Sequence, residues 1–305
     1  MRQLTVALDG SGDFISVQAA IDAIRVHWQE DTRILIKNGV YHEKIIIPDN
    51  KTRIWLVGES REGTILSNNE FARIVGADGE EIGTFLTPVL TMAGDDCRLE
   101  NLTVQNTAGY GPEIGQALAL YVAGDRITVR NVSLFGNQDT LYTCKGRNYF
   151  HGCYIEGHVD FIFGGATVVF EECEIHSLRD GYITAASTEH YQPYGYVFLN
   201  CRLTGAADNG TVFLGRPWRP FAHTAFINTW MGAHIHAEGW DHWNDPNNEA
   251  TVRYYEYGST GPGANQPARV GWSKLLTQEE AEQMTPARIL AGRDGWKPSG
   301  EEAPE

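Results

Sequence analysis

The chain has 305 residues, 42% hydrophobic and 21% charged, which is enough apolar material for a sizeable core and unlike a disordered acidic chain. With 39 acidic against 24 basic residues the formal net charge is −15, which argues against a nucleic-acid partner, since phosphate binding needs a basic face. No run of about 18 apolar residues occurs, so no membrane span is expected, and five cysteines without a CxxC pair argue against a zinc ribbon.

The opening segment MRQLTVALDGSGDF lacks the apolar stretch of a signal peptide. The expectation is a cytoplasmic protein if Met1 is the native start and a secreted one if a leader has been removed. Ser16–Arg25, SVQAAIDAIR, reads as an amphipathic helix with a Ser cap, suited to closing one end of a larger stack.

From Leu99 onward a six-residue frame recurs: Leu99–Val104, Val129–Leu134, Phe150–Ile155, Phe170–Ile175, Phe198–Leu203 and Phe226–Met231. Its first, fourth and sixth positions are apolar or small, and the first four alternate as a strand should. The starts are 30, 21, 20, 28 and 28 residues apart. A constant frame with uneven spacing suits a solenoid whose loops vary in length, each coil burying its apolar face only against its neighbours. The fold class predicted is all-β, a single-domain parallel β-helix with short capping helices. Asn101 and Asn131 begin glycosylation-like triplets but lie on the frame, so they read as structural.

Asp139 lies five residues after Leu134, and Asp160 five after Ile155. If the turns match, the two carboxylates stack roughly 4.8 Å apart, where both do not ionise easily. Such a pair offers a nucleophile beside a general acid. Spacing alone does not distinguish this from turn chemistry, because Asp180 and Asp208 hold the same offset. Those two precede turn signals, Gly181 and Asn209-Gly210, whereas Asp139 and Asp160 run into the strand residues Thr140–Tyr142 and Phe161–Phe163. The frame also stacks Cys153, Cys173 and Cys201 in one column, either as buried thiols, the favoured reading, or with a Cys153–Cys173 bridge. Near the C-terminus, Thr277–Glu280 is a capping-box pattern before a short helix, and the tail from Pro298 reads as disordered.

Five segments in order resemble the pectin methylesterase (pectinesterase) family over roughly Val6–Trp296. They are GVYHE at Gly39–Glu43, QALAL at Gln116–Leu120, GNQDTLY at Gly136–Tyr142, DFIFG at Asp160–Gly164 and LGRPW at Leu214–Trp218. The GHVDFIFGG form looks more like bacterial than plant members. The resemblance implies a right-handed parallel β-helix as one domain, here over residues 1–297 with a tail at 298–305. It implies Asp160 as the nucleophile on a galacturonate methyl ester, Asp139 as general acid and then base, and Gln138 and Gln116 as oxyanion donors. Arg216 would hold Asp160 ionised and bind substrate together with Gln116, and Trp218 would pack on a sugar ring. Tyr41 and Glu43 read as structural. The substrate implied is methyl-esterified polygalacturonate or oligogalacturonate, acted on by a monomer without cofactor or metal. His234, His236 and His242 have a zinc-like spacing, but their segment resembles an ordinary loop of the family. Trp240 and Trp243 suit a sugar groove or the core equally. The alternatives are a retaining glycoside hydrolase, which also uses close carboxylates, and a β-helix that only binds carbohydrate.

Overall fold

The computed structural model describes residues 1–298, so all but the first residue of the expected disordered tail lies outside the described residues. Strands pair in parallel from coil to coil. One sheet has eleven strands, running from Arg2–Val6 at one end to Lys274–Leu275 at the other. A second network has thirteen and forms two further faces. These faces are joined because Tyr154–Gly164 and Glu174–Ala186 each run round a corner as one strand. The first half of Tyr154–Gly164 pairs with Ser133–Phe135 and its last residues with Leu141–Thr143. This is the parallel β-helix that the repeat implies.

The frame itself is in register on every rung, Val129 pairing with Leu99 and Phe150, then Phe170, Phe198 and Phe226 in turn. It is a corner rather than a strand. Its third residue takes a left-handed conformation on each rung: Asn101, Asn131, Gly152, Glu172, Asn200 and Asn228 all have φ between 50° and 61°. The first position therefore ends a strand of the first sheet, and the last positions begin the next face. Asn and Gly favour this conformation, which explains their recurrence at the third place. Asn131 Nδ2 donates to Asn101 Oδ1 (2.8 Å), and Asn101 Nδ2 to the Gly58 carbonyl (2.9 Å), so both are structural, at a corner instead of on a strand.

Inside the stack the first-position phenylalanines form a ladder. Phe150, Phe170, Phe198 and Phe226 follow one another with ring centroids 5.0, 4.5 and 4.5 Å apart, all fully buried. The five cysteines are free thiols. In the column, Cys153, Cys173 and Cys201 each donate to a carbonyl one rung back, those of Val129, Phe150 and Phe170.

Helix α1 (Val17–Asp22) is shorter than the Ser16–Arg25 expected, because 3₁₀-type bonding from Ile24 to Ile21 tightens its end. It buries Val17, Ala20 and Ile21 against the interior beside the Arg2–Val6 strand. Glu43 holds its start, accepting from Val17 N (2.9 Å), Gln18 N (2.9 Å) and Ser16 Oγ (2.8 Å). Tyr41 is buried and donates to the Lys37 carbonyl (2.9 Å), so GVYHE serves the helix that covers this end. Helix α2 (Gln278–Glu282) has the expected capping box. With α3 (Pro286–Ile289) it packs Ala281, Ile289 and Leu290 on Tyr149, Val169, Val197 and Ala225, the outward side of the first sheet. These two helices lie along the stack instead of across its end. No helix of the described residues is long and apolar enough to cross a membrane.

Candidate active site

The strand Tyr154–Gly164 bends where Asp160 sits, with register shifts on both sides of Val159. Gly157 permits the bend, since a Cβ there would lie 2.3 Å from the Phe161 Cβ and 2.6 Å from the Asn137 carbonyl oxygen. Past the bend, Phe161 and Ile162 enter the core, while Asp160 and Phe163 face a cleft of about 270 Å³. One rung back, the turn before Leu141–Thr143 carries Asp139, whose N–H donates to the Val159 carbonyl (3.1 Å). Both aspartates are left-handed, at φ 64° and 50°, and both stand two residues before the paired Leu141 and Ile162. Asp160 thus lies within a bent strand, where a turn-to-strand junction was expected.

Asp139 and Asp160 are 8% and 7% exposed and line the same cleft. Asp180 and Asp208 are exposed and lie in a separate depression, so the shared offset does not bring them to the pair. Arg216, on the strand Val212–Pro217, makes a two-point fork to Asp160, with Nε–Oδ1 at 2.9 Å and Nη2–Oδ2 at 2.7 Å. Burial pushes both carboxyls up. At Asp160 the Arg216 guanidinium opposes it, leaving a net rise. At Asp139 burial is joined by repulsion from Asp160, and the rise is large. Asp139 therefore keeps its proton to higher pH, while the forked Asp160 ionises first.

Gln116 and Gln138 line the same cleft, and neither side-chain amide has a hydrogen-bond partner among the described residues. They are free to donate to a substrate, in contrast to amides spent on turn backbone. Trp218 is half-buried, edge-on to Phe163 (5.7 Å) and Tyr142 (6.3 Å). All six residues singled out from the sequence thus border one cleft. Trp240 and Trp243 divide: Trp240 is buried and stacked on Tyr254 (4.1 Å), whereas Trp243 lines the cleft over the Arg216 guanidinium (3.7 Å). The histidines of that loop have separate surroundings. His234 is buried, His236 stacks on Phe213 (4.3 Å) and His242 lies 3.7 Å from Glu249.

Sequence reasoning missed Thr84 and Phe85, which border the cleft from a distant loop. Phe85 is 46% exposed yet packs on Tyr142 (5.0 Å). No periodicity marks that loop, and an aromatic between Gly83 and Leu86 was the available signal. Tyr182 was missed because the five-residue offset pointed to Asp180, whereas the register shift pairs Val159 with Tyr182. A buried carboxylate acid, a forked carboxylate and two free amide donors beside aromatic rings can together attack, protonate and stabilise an ester.

The Pectinesterase family profile matches residues 3–293. Pectinesterase 31 of Arabidopsis thaliana is 40% identical over 285 residues, covering 92% of this chain and 89% of that protein. Among solved structures, pectin methylesterase from carrot superposes with a TM-score of 0.88 at 32% identity, over 96% of this chain and 94% of the other. A pectin methylesterase in complex with a hexasaccharide gives 0.87 at 31% identity, over 99% of both chains. Plant and bacterial proteins both stand among the similar structures: pectin methylesterase from Erwinia chrysanthemi gives a TM-score of 0.84 at 31% identity, over 98% of both chains.

Proposed function

The chain belongs to the pectinesterase family, as a carboxylic ester hydrolase, and from that membership we propose how its cleft hydrolyses a methyl ester. The substrate is a methyl-esterified galacturonan, polymer or oligomer. The Asp160 carboxylate attacks the ester carbonyl carbon. The resulting oxyanion accepts hydrogen bonds from the Gln116 and Gln138 amides, a contribution of roughly 3 kcal/mol per donor. The tetrahedral intermediate collapses by breaking the bond to the methoxy oxygen, which takes the Asp139 proton and leaves as methanol. An acyl anhydride on Asp160 remains. Asp139, now a carboxylate, takes a proton from water as that water attacks the acyl carbon. Asp160 departs as a carboxylate, and Asp139 again carries its proton. Trp218 offers a ring face beside the reacting residue, and Arg216 keeps Asp160 anionic.

The observation that carries this reading is the unequal environment of the two carboxyls, one forked to Arg216 and the other buried without a hydrogen-bonded cation. The test is methanol release from methylated pectin or oligogalacturonate, with reducing ends measured in parallel. Methanol without new reducing ends is expected. New reducing ends without methanol would favour glycoside hydrolysis and overturn the proposal.

A further inference from the structure

The fork to Asp160 fixes the Arg216 guanidinium within its own plane, but hydrogen bonds in that plane do little against tilting out of it. Two rings occupy the remaining directions. Tyr182 has its centroid 3.9 Å from Arg216 Cζ and Trp243 has its centroid at 3.7 Å. Both are at van der Waals contact, and the two rings do not form an aromatic pair with each other, although Tyr182 does so with Phe213 at 5.5 Å. Rings this close to one carbon atom without touching each other lie on opposite faces of the guanidinium. The geometry points to Tyr182 and Trp243 as positioning residues that clamp Arg216 between two aromatic faces and so hold Asp160 as an oriented carboxylate. The inference rests on the nucleophilic role proposed above for Asp160.

Each half of the clamp is itself anchored. Tyr182 is held in a strand, in register with Val159 and Phe213, and its ring continues through Phe213 to His236 (4.3 Å) as a stack. Trp243 comes from a loop. Its left-handed backbone, φ 57°, is set by an N–H donated to Asp241 Oδ1 (2.6 Å), and Asp241 N–H bonds to the Gly215 carbonyl (3.1 Å) beside Arg216. The loop is thereby tied to the strand whose arginine it covers. Trp243 also borders the cleft, whereas Tyr182 is not among the lining residues and acts through Arg216. A cation between two ring faces gains electrostatic attraction and loses access to water, and both effects favour the tight fork. Besides Arg216, the charged and titratable groups that face Asp160 are Asp139, Asp241 and the hydroxyls of Tyr182 and the buried Tyr254. None of these four is a cation that could replace a loosened Arg216.

The test compares Tyr182→Leu and Tyr182→Phe by the pH profile of kcat/KM, with kcat and KM measured separately. Tyr182→Leu is expected to move the acid limb up by about one pH unit, the scale of one desolvated cation–π contact. Below that limb kcat/KM falls about tenfold, with KM changing less than about twofold. Tyr182→Phe keeps the ring and is expected to keep the wild-type limb. A folded Tyr182→Leu with an unmoved limb overturns the clamp, as does a Tyr182→Phe that behaves like it. If Tyr182→Leu does not fold, Trp243→Leu reads the opposite face: a moved limb supports the clamp and an unmoved one overturns it. A folded Asp160→Ala that still turns over would reject the nucleophile instead. An inactive Asp160→Ala beside an unmoved limb in Tyr182→Leu rejects the clamp alone.

Discussion

Replacing Arg216 by alanine tests how far one ion pair sets the chemistry of the cleft. Asp160 is 7% exposed, and its carboxylate accepts both forks of Arg216 at 2.9 and 2.7 Å. Hydrogen bonds to a charged group contribute roughly 1.5–3 kcal/mol each, and removing one partner of a buried pair costs roughly 3–5 kcal/mol. Burial already raises this carboxyl even with Arg216 present. Without the guanidinium the cheaper response is protonation, and water entering the vacated space lessens the penalty. At 1.36 kcal/mol per pH unit, a rise of about two units follows. The sign is fixed: a carboxyl whose pKa rises stays neutral to higher pH, and a neutral carboxyl is no nucleophile. The acid limb of kcat/KM should therefore move upward by about two units, with a loss of about a hundredfold below it and partial recovery as pH rises. Methanol release measured across the pH range is the assay, with circular dichroism to verify folding. A folded Arg216→Ala variant whose acid limb is unmoved would refute the reasoning.

Asp139→Asn should lower kcat by roughly 10²–10⁴ in methanol release, because an amide cannot deliver or recover a proton. The same variant should be more stable than the wild type at neutral and alkaline pH. The raised carboxyl of Asp139 favours the fold below its unfolded-state value, and that contribution is lost as pH rises through the folded value. Thermal melts at acidic and alkaline pH should therefore show the gain of Asp139→Asn growing with pH. Phe198→Ala should destabilise the protein by roughly 3–5 kcal/mol in urea unfolding, since the ring is fully buried and stacked on Phe170 and Phe226. Glu43→Ala, which removes three bonds to the start of α1, should cost roughly 1–2 kcal/mol in the same assay while kcat stays within about twofold.

The sequence reveals the stack because every rung repeats the same packing problem. Phe150, Phe170, Phe198 and Phe226 must each fill the same interior position, so their spacing carries the register. The frame does not reveal its own corner. Apolar alternation looks alike on a strand and across a one-residue left-handed turn, and only the recurring Asn and Gly at the third place hinted at the difference. In the cleft, Asp139 and Asp160 could be read from the same period, and the motif segments drew attention to Gln116, Gln138, Arg216 and Trp218. Phe85, Tyr182 and Trp243 were harder. Their contacts depend on a distant loop, a register shift and an Asx-bonded turn, none of which repeats along the chain. The position of α2 and α3 was also hidden, because a capping box fixes where a helix starts and not which face receives it.

Methanol release from methyl-esterified oligogalacturonate by the wild-type protein and by Asp160→Ala, both verified as folded, puts the proposed nucleophile to the test. Turnover by the wild type with near-complete loss in the variant is the expected result. Turnover retained by Asp160→Ala, or no methanol from the folded wild type, would contradict it.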